Sequence, residues 1–410
     1  SLPPVAQDDA VSLHEDAVAL FDAFADNGSG VDSDPDGDPF VVSRVNGSAS
    51  AVGTAINLAG GGRVRMYADG EFYFDPDGDF DDLQVGESRD VAFTYTIDDG
   101  RGRIDQATVT VTVEGRNDAP VARDDGFQVD ENGLLSDNVL APSAGADDAD
   151  PEGDAIQVVS VAGAQARVGQ SIDLAAGGRV RINADGQVWF NPDGDFEDLN
   201  VGQSRTVSVV YGIADPEGLT DTATARFTVR GENDAPTAVD DVFQGDEDVA
   251  NTVTGGLAND IDPDTGASLS VVEIEGQEVQ VGDSVELASG ARVTLLAGGN
   301  FLYDVNGEFQ ELAEGETGID AFVYTISDEH GATDEAEATV EIAGHNDAPV
   351  ARDDAVRTHE DALHVGSVFA DNGAGADWDW EGDALSVVAV NGLAANVDAS
   401  IPLAGGGLLR

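Results

Sequence analysis

The chain has 410 residues and carries 81 Asp plus Glu against 18 Lys plus Arg, a formal net charge of −63. This charge disfavours nucleic acids and anionic membranes as partners, because the summed field repels phosphate. Hydrophobic residues make up 41 % of the chain, enough for packed cores, and the absence of cysteine excludes a disulfide framework.

Short segments that alternate apolar and polar residues predict strands in the first part of the chain. They span residues 40–45, 63–68, 71–74, 91–97 and 108–113, with glycine-rich turns between them. No stretch has helical periodicity. About seven short strands separated by turns are typical of a two-sheet sandwich, so we expect an all-β fold.

The tetrapeptide Asn-Asp-Ala-Pro recurs at residues 117–120, 233–236 and 346–349. Self-similarity at this spacing predicts repeat modules at 1–116, 117–232 and 233–345, and an incomplete fourth module at 346–410. Residues 401–410 align with 56–65, so the strands that follow are missing from the fourth module. We expect the natural chain to continue; the alternative is completion by a neighbouring chain in a strand-exchanged filament.

One tyrosine recurs on the long alternating strand of each complete module, as Tyr95, Tyr211 and Tyr324. A core tyrosine whose hydroxyl is hydrogen-bonded at a sandwich corner is the favoured interpretation. A sugar-stacking platform is the alternative.

Five acidic clusters occupy matching places in the modules. The first comprises the linker Asn-Asp and the aspartate pair after it: Asn117, Asp118, Asp124, Asp125, Asn233, Asp234, Asp240, Asp241, Asn346, Asp347, Asp353 and Asp354. The second is a glutamate early in each module: Glu15, Glu131, Glu247 and Glu360. The third is a loop of alternating acids: Asp32, Asp34, Asp36, Asp38, Asp148, Asp150, Glu152, Asp154, Asp260, Asp262, Asp264, Asp377, Asp379, Glu381 and Asp383.

The fourth cluster follows the predicted strand 71–74 and its counterparts: Asp77, Asp79, Asp81, Asp82, Asp193, Asp195, Glu197, Asp198, Asn306, Glu308, Gln310 and Glu311. The fifth is a single acid in the turn after the long strand: Asp99, Asp215 and Asp328. Carboxylates packed this closely repel one another unless a cation lies between them. Ca²⁺ accepts six to eight oxygen ligands in flexible geometry, whereas zinc prefers His or Cys and Mg²⁺ a strict octahedron.

Calcium is therefore the expected cofactor. Acids that serve only solubility or adaptation to high salt would be scattered, whereas these keep their places through the repeats. The segment 32–37 imitates the start of an EF-hand loop, but Ser43 stands where that loop ends in glutamate and no helices flank it. An EF-hand is therefore rejected.

The residues resemble bacterial cadherin-like repeats of the VCBS type, found in large secreted RTX-type adhesins. The resemblance is carried by Val-Thr-Val-Thr-Val-Glu-Gly-Arg-Asn-Asp-Ala-Pro at 109–120, preceded by Phe-Thr-Tyr-Thr-Ile-Asp-Asp-Gly at 93–100. It covers three modules and the start of the fourth. It implies tandem Ig-like β-sandwich modules arranged end to end as a rod, with Ca²⁺ at each junction.

The resemblance also implies ligand sets. The first junction would use Glu15, Asp81 or Asp82, Asn117, Asp118, Asp148 and Asp150. The second would use Glu131, Glu197 or Asp198, Asn233, Asp234, Asp260 and Asp262. The third would use Glu247, Glu311, Asn346, Asp347, Asp377 and Asp379. The paired aspartates have no counterpart in this scheme, and we expect them to form a second local site with Asp99, Asp215 and Asp328. Asp32, Asp34 and Glu360 hold equivalent positions in the remaining modules and complete the candidate metal ligands.

These expectations define a calcium-rigidified spacer of an extracellular bacterial adhesin or surface filament, serving cell adhesion and biofilm formation. Its partners would be neighbouring repeats, other cells, surfaces and glycans, with no nucleic acid and no membrane insertion. A carbohydrate- or protein-recognition module is the alternative, and Trp378 and Trp380 in an acidic loop favour it, although packing on the preceding module is preferred for that pair. The sequence contains no recognisable nucleophile–base pair or catalytic motif, so we do not expect an enzyme. We expect export to the cell surface without a cleaved N-terminal signal, by a type I-like route.

Overall fold

The computed structural model describes residues 2–141 and 147–410, which form two compact units. The first unit comprises residues 1–196 and 202–231, and the second comprises 197–201 and 232–410. Both are built from β-strands, as predicted, and the described residues contain only short 3-10 turns besides them: Ala49–Ala51, Gln165–Arg167 and Ala394–Asn396. Among these described residues, no helix is long and apolar enough to span a bilayer.

The first unit begins with an eight-stranded sandwich. Its strands are β1 Asp9–His14, β2 Ala19–Asp22, β3 Val41–Val45, β4 Ile56–Asn57, β5 Arg63–Met66, β6 Glu71–Asp75, β7 Ser88–Asp98 and β8 Ile104–Glu114. One sheet has the order β1-β8-β7-β3 and the other β2-β6-β5-β4. Strand β1 pairs with β8 in parallel, and the neighbouring pairs described are antiparallel.

The core of this sandwich follows from the alternation seen in the sequence. Strands β7 and β8 bury every second side chain, and β5 and β6 supply the facing layer, so that Phe72 and Phe93 meet edge to face with centroids 5.3 Å apart. The predicted segments 40–45, 63–68 and 71–74 are strands β3, β5 and β6 within a few residues. Strands β2 and β4 were not predicted, because they are short and only half-buried.

A second sandwich completes the first unit with the same topology. Its strands are β9 Asp125–Asp130, β10 Leu135–Asn138, β11 Gln157–Val161, β12 Ser171–Asp173, β13 Arg179–Ile182, β14 Gln187–Asn191, β15 Ser204–Ala214 and β16 Thr220–Arg230. The sheets run β11-β15-β16-β9 and β10-β14-β13-β12. Phe190 and Phe227 stack across them with centroids 4.5 Å apart. Gly178 has a φ of +78°, and a Cβ there would lie 2.6 Å from Phe190, so the turn before β13 requires glycine.

The second unit contains a third sandwich and the acid-rich segment after it. Its strands are β17 Asp241–Asp246, β18 Asn251–Val253, β19 Ser270–Ile274, β20 Gln277–Glu278, β21 Ser284–Glu286, β22 Arg292–Leu295, β23 Phe301–Asp304, β24 Thr317–Ser327 and β25 Thr333–Ala343. The sheets run β17-β25-β24-β19-β20 and β18-β23-β22-β21. A short hairpin of β26 Ile401–Pro402 and β27 Leu408–Leu409 follows.

Candidate metal centres

Three carboxylates from separate parts of the first unit converge at the linker between its sandwiches. Glu15 lies after β1, Asp118 lies in the linker after β8, and Glu152 lies in the acidic loop after β10. One oxygen of each lies within 4.8 Å of the others. Glu15 is buried and the other two are half-buried. We call these three residues the first linker cluster.

Backbone hydrogen bonds fix this arrangement. The Arg116 N–H donates to Glu15, and the Asp118 N–H donates to Glu152 with a donor–acceptor distance of 2.6 Å. The Asn117 amide donates to Asp215 Oδ2 at 2.7 Å, which leaves the amide oxygen of Asn117 as its free acceptor. Glu15 and Glu152 are thus oriented by main-chain N–H groups rather than by basic side chains.

Acids at matching positions lie at the other two linkers, within the second unit, and share the main-chain hydrogen bonds of the first. The Asp234 N–H donates to Asp264 at 3.0 Å, and the Asn233 amide donates to Asp328 at 2.7 Å. We call Asp234 and Asp264, with Glu197 and Asp262 beside them, the second linker cluster. The third linker cluster comprises three acids held by the same main-chain bonds: Glu247, bonded by His345 N–H, Asp347 and Glu381.

Each cluster contains buried carboxylate oxygens that no hydrogen-bond donor reaches within the described residues. In the first set they belong to Glu15, Asp150 and Glu152; in the second to Asp234, Asp262 and Asp264; in the third to Glu247, Asp347 and Glu381. A buried charged oxygen without a partner costs several kcal/mol, and native proteins rarely leave one unsatisfied. Buried oxygens without a hydrogen-bond donor thus recur at three linkers. A hard cation, which takes oxygen ligands, would satisfy them.

The pKa values show the cost of burying these carboxylates. Burial, opposed in part by the Asp118 N–H bond and reinforced by Asp150, raises the pKa of Glu152 to about 7. Burial and then the charge of Glu197 raise the pKa of Asp234 to about 6. Burial likewise raises the pKa of Glu15 and Glu247. Burial thus disfavours the ionised form of all four acids.

A further group of acids lies at the start of the first sandwich. Single oxygens of Asp34, Asp38 and Asp99 lie within 4.8 Å of one another, and Asp38 also pairs with Arg101. Asp34 and Asp99 hold the loop and turn positions that Asp150 and Asp215 hold in the second sandwich. The acids grouped with Asp99 thus belong to the third cluster of the sequence, and its grouping with the paired aspartates stays a prediction.

The second aspartate of each pair belongs instead to a buried network around the recurring tyrosine. Tyr211 is fully buried, and its hydroxyl lies 2.8 Å from Asp125 Oδ2, 2.9 Å from Asp148 Oδ2, and 3.1 Å and 3.3 Å from the carbonyls of Arg123 and Val139. The predicted corner tyrosine is confirmed, and a sugar-stacking role for it is wrong because its ring is inaccessible.

The same network recurs in the other sandwiches. Tyr95 OH donates to Asp32 at 2.7 Å with Asp9 beside it, and Tyr324 OH donates to Asp241 at 3.0 Å with Asp260 beside it. The buried tyrosine hydroxyls hold four of the predicted metal ligands: Asp32, Asp125, Asp148 and Asp241. Asp260 accepts the Val239 N–H through one carboxylate oxygen, and its other oxygen is buried without a hydrogen-bond partner among the described residues.

Several other candidate ligands have partners of their own. Asp82 pairs with Arg89 at 2.6 Å. Burial is the main cause of the raised pKa of Glu15 and Asp118, and the charge of the neighbouring Asp81 adds to it. Asp124 pairs with Arg226 at 2.8 Å, and Asp240 accepts the Glu337 N–H. Asp377 and Asp379 accept the N–H groups of Arg352 and Asp383, and both line a cavity of about 320 Å³ at the third linker with Asn346 and Asp347.

The third linker cluster departs from the first two. Gln310 holds the position of Asp81 and donates to the Glu247 carbonyl at 3.3 Å, whereas the predicted ligand Glu311 is exposed. Asp353, Asp354 and Glu360 are exposed as well. Glu131 is buried after β9, and its N–H donates to the Arg230 carbonyl. Asp198 accepts the Thr265 N–H through its carbonyl.

Glu152, Asp264 and Glu381 are the site residues that the predicted ligand sets omitted. An antiparallel bridge joins each linker to its acidic loop, at Val121 and Ala149 in the first case. Asp118 lies three residues before Val121, and Glu152 lies three residues after Ala149, so the two acids are opposite each other. The same spacing relates Asp234 to Asp264 at the second linker and Asp347 to Glu381 at the third. The bridge register, rather than composition, identifies the opposing acid.

Tandem β-sandwiches with acid-rich linkers define a class of extracellular adhesion-type repeat. The bacterial cadherin-like domain model matches residues 2–115, 117–231 and 233–344, and the chain belongs to this family. No curated protein matches it.

Several solved cadherin structures are similar to this chain. The structure of mouse Cadherin-23 EC22-24 has 14 % sequence identity to this chain and a TM-score of 0.41. The match covers 82 % of this chain and 99 % of the Cadherin-23 chain. For Drosophila N-cadherin EC1-4 the identity is 13 %, the TM-score 0.35, and the coverage 84 % and 76 %. The structure of Protocadherin Gamma B2 extracellular cadherin domains 1-5 has 13 % sequence identity to this chain and a TM-score of 0.39. The match covers 84 % of this chain and 61 % of the protocadherin chain.

Proposed function

We propose that the chain is a calcium-binding spacer of an extracellular bacterial adhesin or surface filament, stiffened when Ca²⁺ occupies its linkers. The observation that carries this proposal is the repeated set of buried carboxylate oxygens without donors at all three linkers. The linker acids as ligands, the domain boundaries and the rod-like arrangement belong to this proposal. So do the VCBS and RTX context, type I-like secretion, a role in biofilm and the absence of catalysis.

The ligands at the first linker would be Glu15, Asp81, Asn117, Asp118 and Glu152. Four carboxylates and an amide oxygen match the preference of Ca²⁺ for hard oxygen donors, and water completes the coordination. Bringing them together without an ion costs free energy, which binding would recover. At free calcium tenfold above the Kd, each bound ion adds about 1.4 kcal/mol to the free energy of unfolding.

Extracellular modules typically bind Ca²⁺ with a Kd of about 10⁻⁴–10⁻³ M. The linkers would therefore be empty and self-repelling in a cytosol with little free calcium, and filled outside the cell. Calcium-dependent stiffness is then a property acquired after export. Spacing an adhesive end from a cell surface needs this property, because a flexible linker shortens the mean reach of a chain.

The test is small-angle scattering and thermal melting of the full chain, with calcium and after chelation by EDTA. We expect a longer maximum dimension and a higher Tm with calcium. Glu152→Gln should weaken binding at the first linker, whereas the matched control Asp82→Asn, which removes one charge from an acid paired with Arg89, should not. Equal dimensions and equal Tm in calcium and EDTA would refute the proposal.

A further inference from the structure

The outer face of one sheet carries the same unusual pair of side chains in the first two sandwiches. The register of β5 and β6 places Arg65 beside Tyr73, and that of β13 and β14 places Arg181 beside Trp189. Their neighbours along each strand fill the core, so these four side chains face outward. Tyr73 is 42 % exposed and Trp189 38 % exposed. We call each pair an arginine–aromatic face.

The charge of these arginines is not compensated. The Arg181 guanidinium lies 5.0 Å from the Trp189 ring centroid and donates through Nε to Asn183 Oδ1 at 3.1 Å. Arg65 lies 5.1 Å from the Tyr67 ring and donates to the Gly53 carbonyl. Within the described residues neither forms a salt bridge, although the chain contains 81 acids.

A second arginine on the same strand does form salt bridges, so the missing salt bridge is particular to Arg181. Arg179, two residues before Arg181, pairs with Asp173 at 2.7 Å and with Asp193 at 3.4 Å. Acids are therefore available on this sheet, but none is placed opposite Arg181. Its terminal Nη groups keep their capacity to bind an anionic oxygen pair, the geometry that a guanidinium matches best.

The face of the second sandwich also has a concave surface. A cavity of about 330 Å³ is lined by Leu134, Arg179, Arg181 and Trp189, among others. That volume lies at the lower end of small-ligand sites. It suits one ring of a ligand rather than a protein surface, since a stable protein interface covers about 800 Å² on each partner.

The third sandwich lacks the pair at the same positions. There β22 and β23 place Thr294 beside Leu302. The same sheet forms there without a guanidinium and an aromatic ring at this point, so the fold does not require them. The arginine–aromatic face is a feature added to two of the three sandwiches.

We infer that the arginine–aromatic face of the second sandwich binds an acidic saccharide, with Arg181 bonding the sugar carboxylate and Trp189 covering the apolar face of the ring. The net charge of the chain opposes an anionic ligand at long range, but at physiological salt this field is screened within about 8 Å. Contact with the guanidinium then decides the binding. This site is separate from the linkers and does not rest on calcium binding.

The test uses the full chain and a hyaluronan tetrasaccharide, whose glucuronate rings carry the carboxylate, in isothermal titration calorimetry. The matched ligand is the same tetrasaccharide with its carboxylates methyl-esterified. We expect the acid to bind at least tenfold more tightly than the ester. In a Trp378→Phe/Trp380→Phe background, the remaining tryptophan fluorescence reports Trp189 alone, and we expect it to change on binding.

The variants exploit the third sandwich as a template. Arg181→Gln, and the double change Arg181→Thr with Trp189→Leu, should each weaken binding at least tenfold. Arg292→Gln, which removes an arginine paired with Glu286 in the third sandwich, should leave it unchanged. Binding measured with calcium and in EDTA should agree, which separates this inference from the proposed function.

Three results would overturn the inference. The ester binding as tightly as the acid would exclude carboxylate recognition, and unaltered binding by the correctly folded double variant would exclude this face. The third result combines two observations: the parent chain does not bind the saccharide, and it self-associates in sedimentation velocity whereas the double variant does not. That outcome would identify the face as a contact between copies of the chain.

Discussion

Replacing Tyr95 with phenylalanine should destabilise the first sandwich selectively. The hydroxyl is buried and lies 2.7 Å from Asp32 Oδ2, 3.1 Å from the Gln7 carbonyl and 3.4 Å from the Ala23 carbonyl. Phenylalanine keeps the ring and leaves no large cavity, so the loss is that of the hydrogen bond to a charged acceptor. Such a bond contributes about 1.5–3 kcal/mol, and Asp32 would keep only its bond from the Gln7 N–H.

Hydrogen exchange of the full chain, read by mass spectrometry, measures this effect sandwich by sandwich. A loss of about 2 kcal/mol should speed the slowest exchange in β7 about 30-fold, because each 1.4 kcal/mol is tenfold in the opening equilibrium. Peptides from β15 in the second sandwich serve as an internal reference. Tyr73→Phe is the control, since Tyr73 lies on the exposed face of the same sandwich. If Tyr95→Phe left exchange in β7 at the level of that control, the tyrosine network would not stabilise the sandwich.

Three further predictions follow from the acids and one glycine. Burial raises the pKa of Asp9 from 3.8 to about 6, so the folded state favours the protonated form of this acid. The contribution of Asp9 to the free energy of unfolding is therefore greatest below pH 3.8 and falls by about 3 kcal/mol as the pH rises through 6. Asp9→Asn should remove this part of the pH dependence of melting. Gln310→Glu should tighten calcium binding at the third linker cluster in calorimetric titration, because an added carboxylate increases the ligand charge; unchanged affinity would exclude this position from the site. Gly178→Ala should lower the free energy of unfolding of the second sandwich by more than 1 kcal/mol in hydrogen exchange, because its Cβ would meet Phe190; no loss would mean that the turn adapts.

The alternation of apolar and β-branched residues was sufficient to predict the central strands. Most of strands β7 and β8 alternates because one face is buried and the other is wet, a pattern that the sequence displays directly. The end of β7 departs from it, since Tyr95, Thr96 and Ile97 are all buried. Strands β2 and β4 carry little of that pattern, since they are short and half-buried at the sheet margins. Their presence follows from pairing with β6 and β5 rather than from their own residues.

The repeat positions identified which acids matter, but not which of them meet. Asp148 and Glu152 lie in the same loop, yet Asp148 turns inward to Tyr211 while Glu152 faces Asp118. The difference depends on the bridge between Val121 and Ala149, a long-range pairing that composition does not encode. The tyrosine hydroxyl was expected to need a partner, but its choice of carboxylate required the packed sandwich.

The first linker cluster brings together carboxylates from two successive sandwiches, because Glu15 follows β1 and Glu152 follows β10. Neither sandwich alone can present the full set. Under the proposed function, the binding free energy of an ion there would be a nearest-neighbour coupling term, as in a one-dimensional array whose units stabilise one another only through shared boundaries. A destabilised sandwich would then weaken its neighbour at physiological calcium and leave it unaffected after chelation. The concentration of a single ion outside the cell would set how far a local defect spreads along the chain.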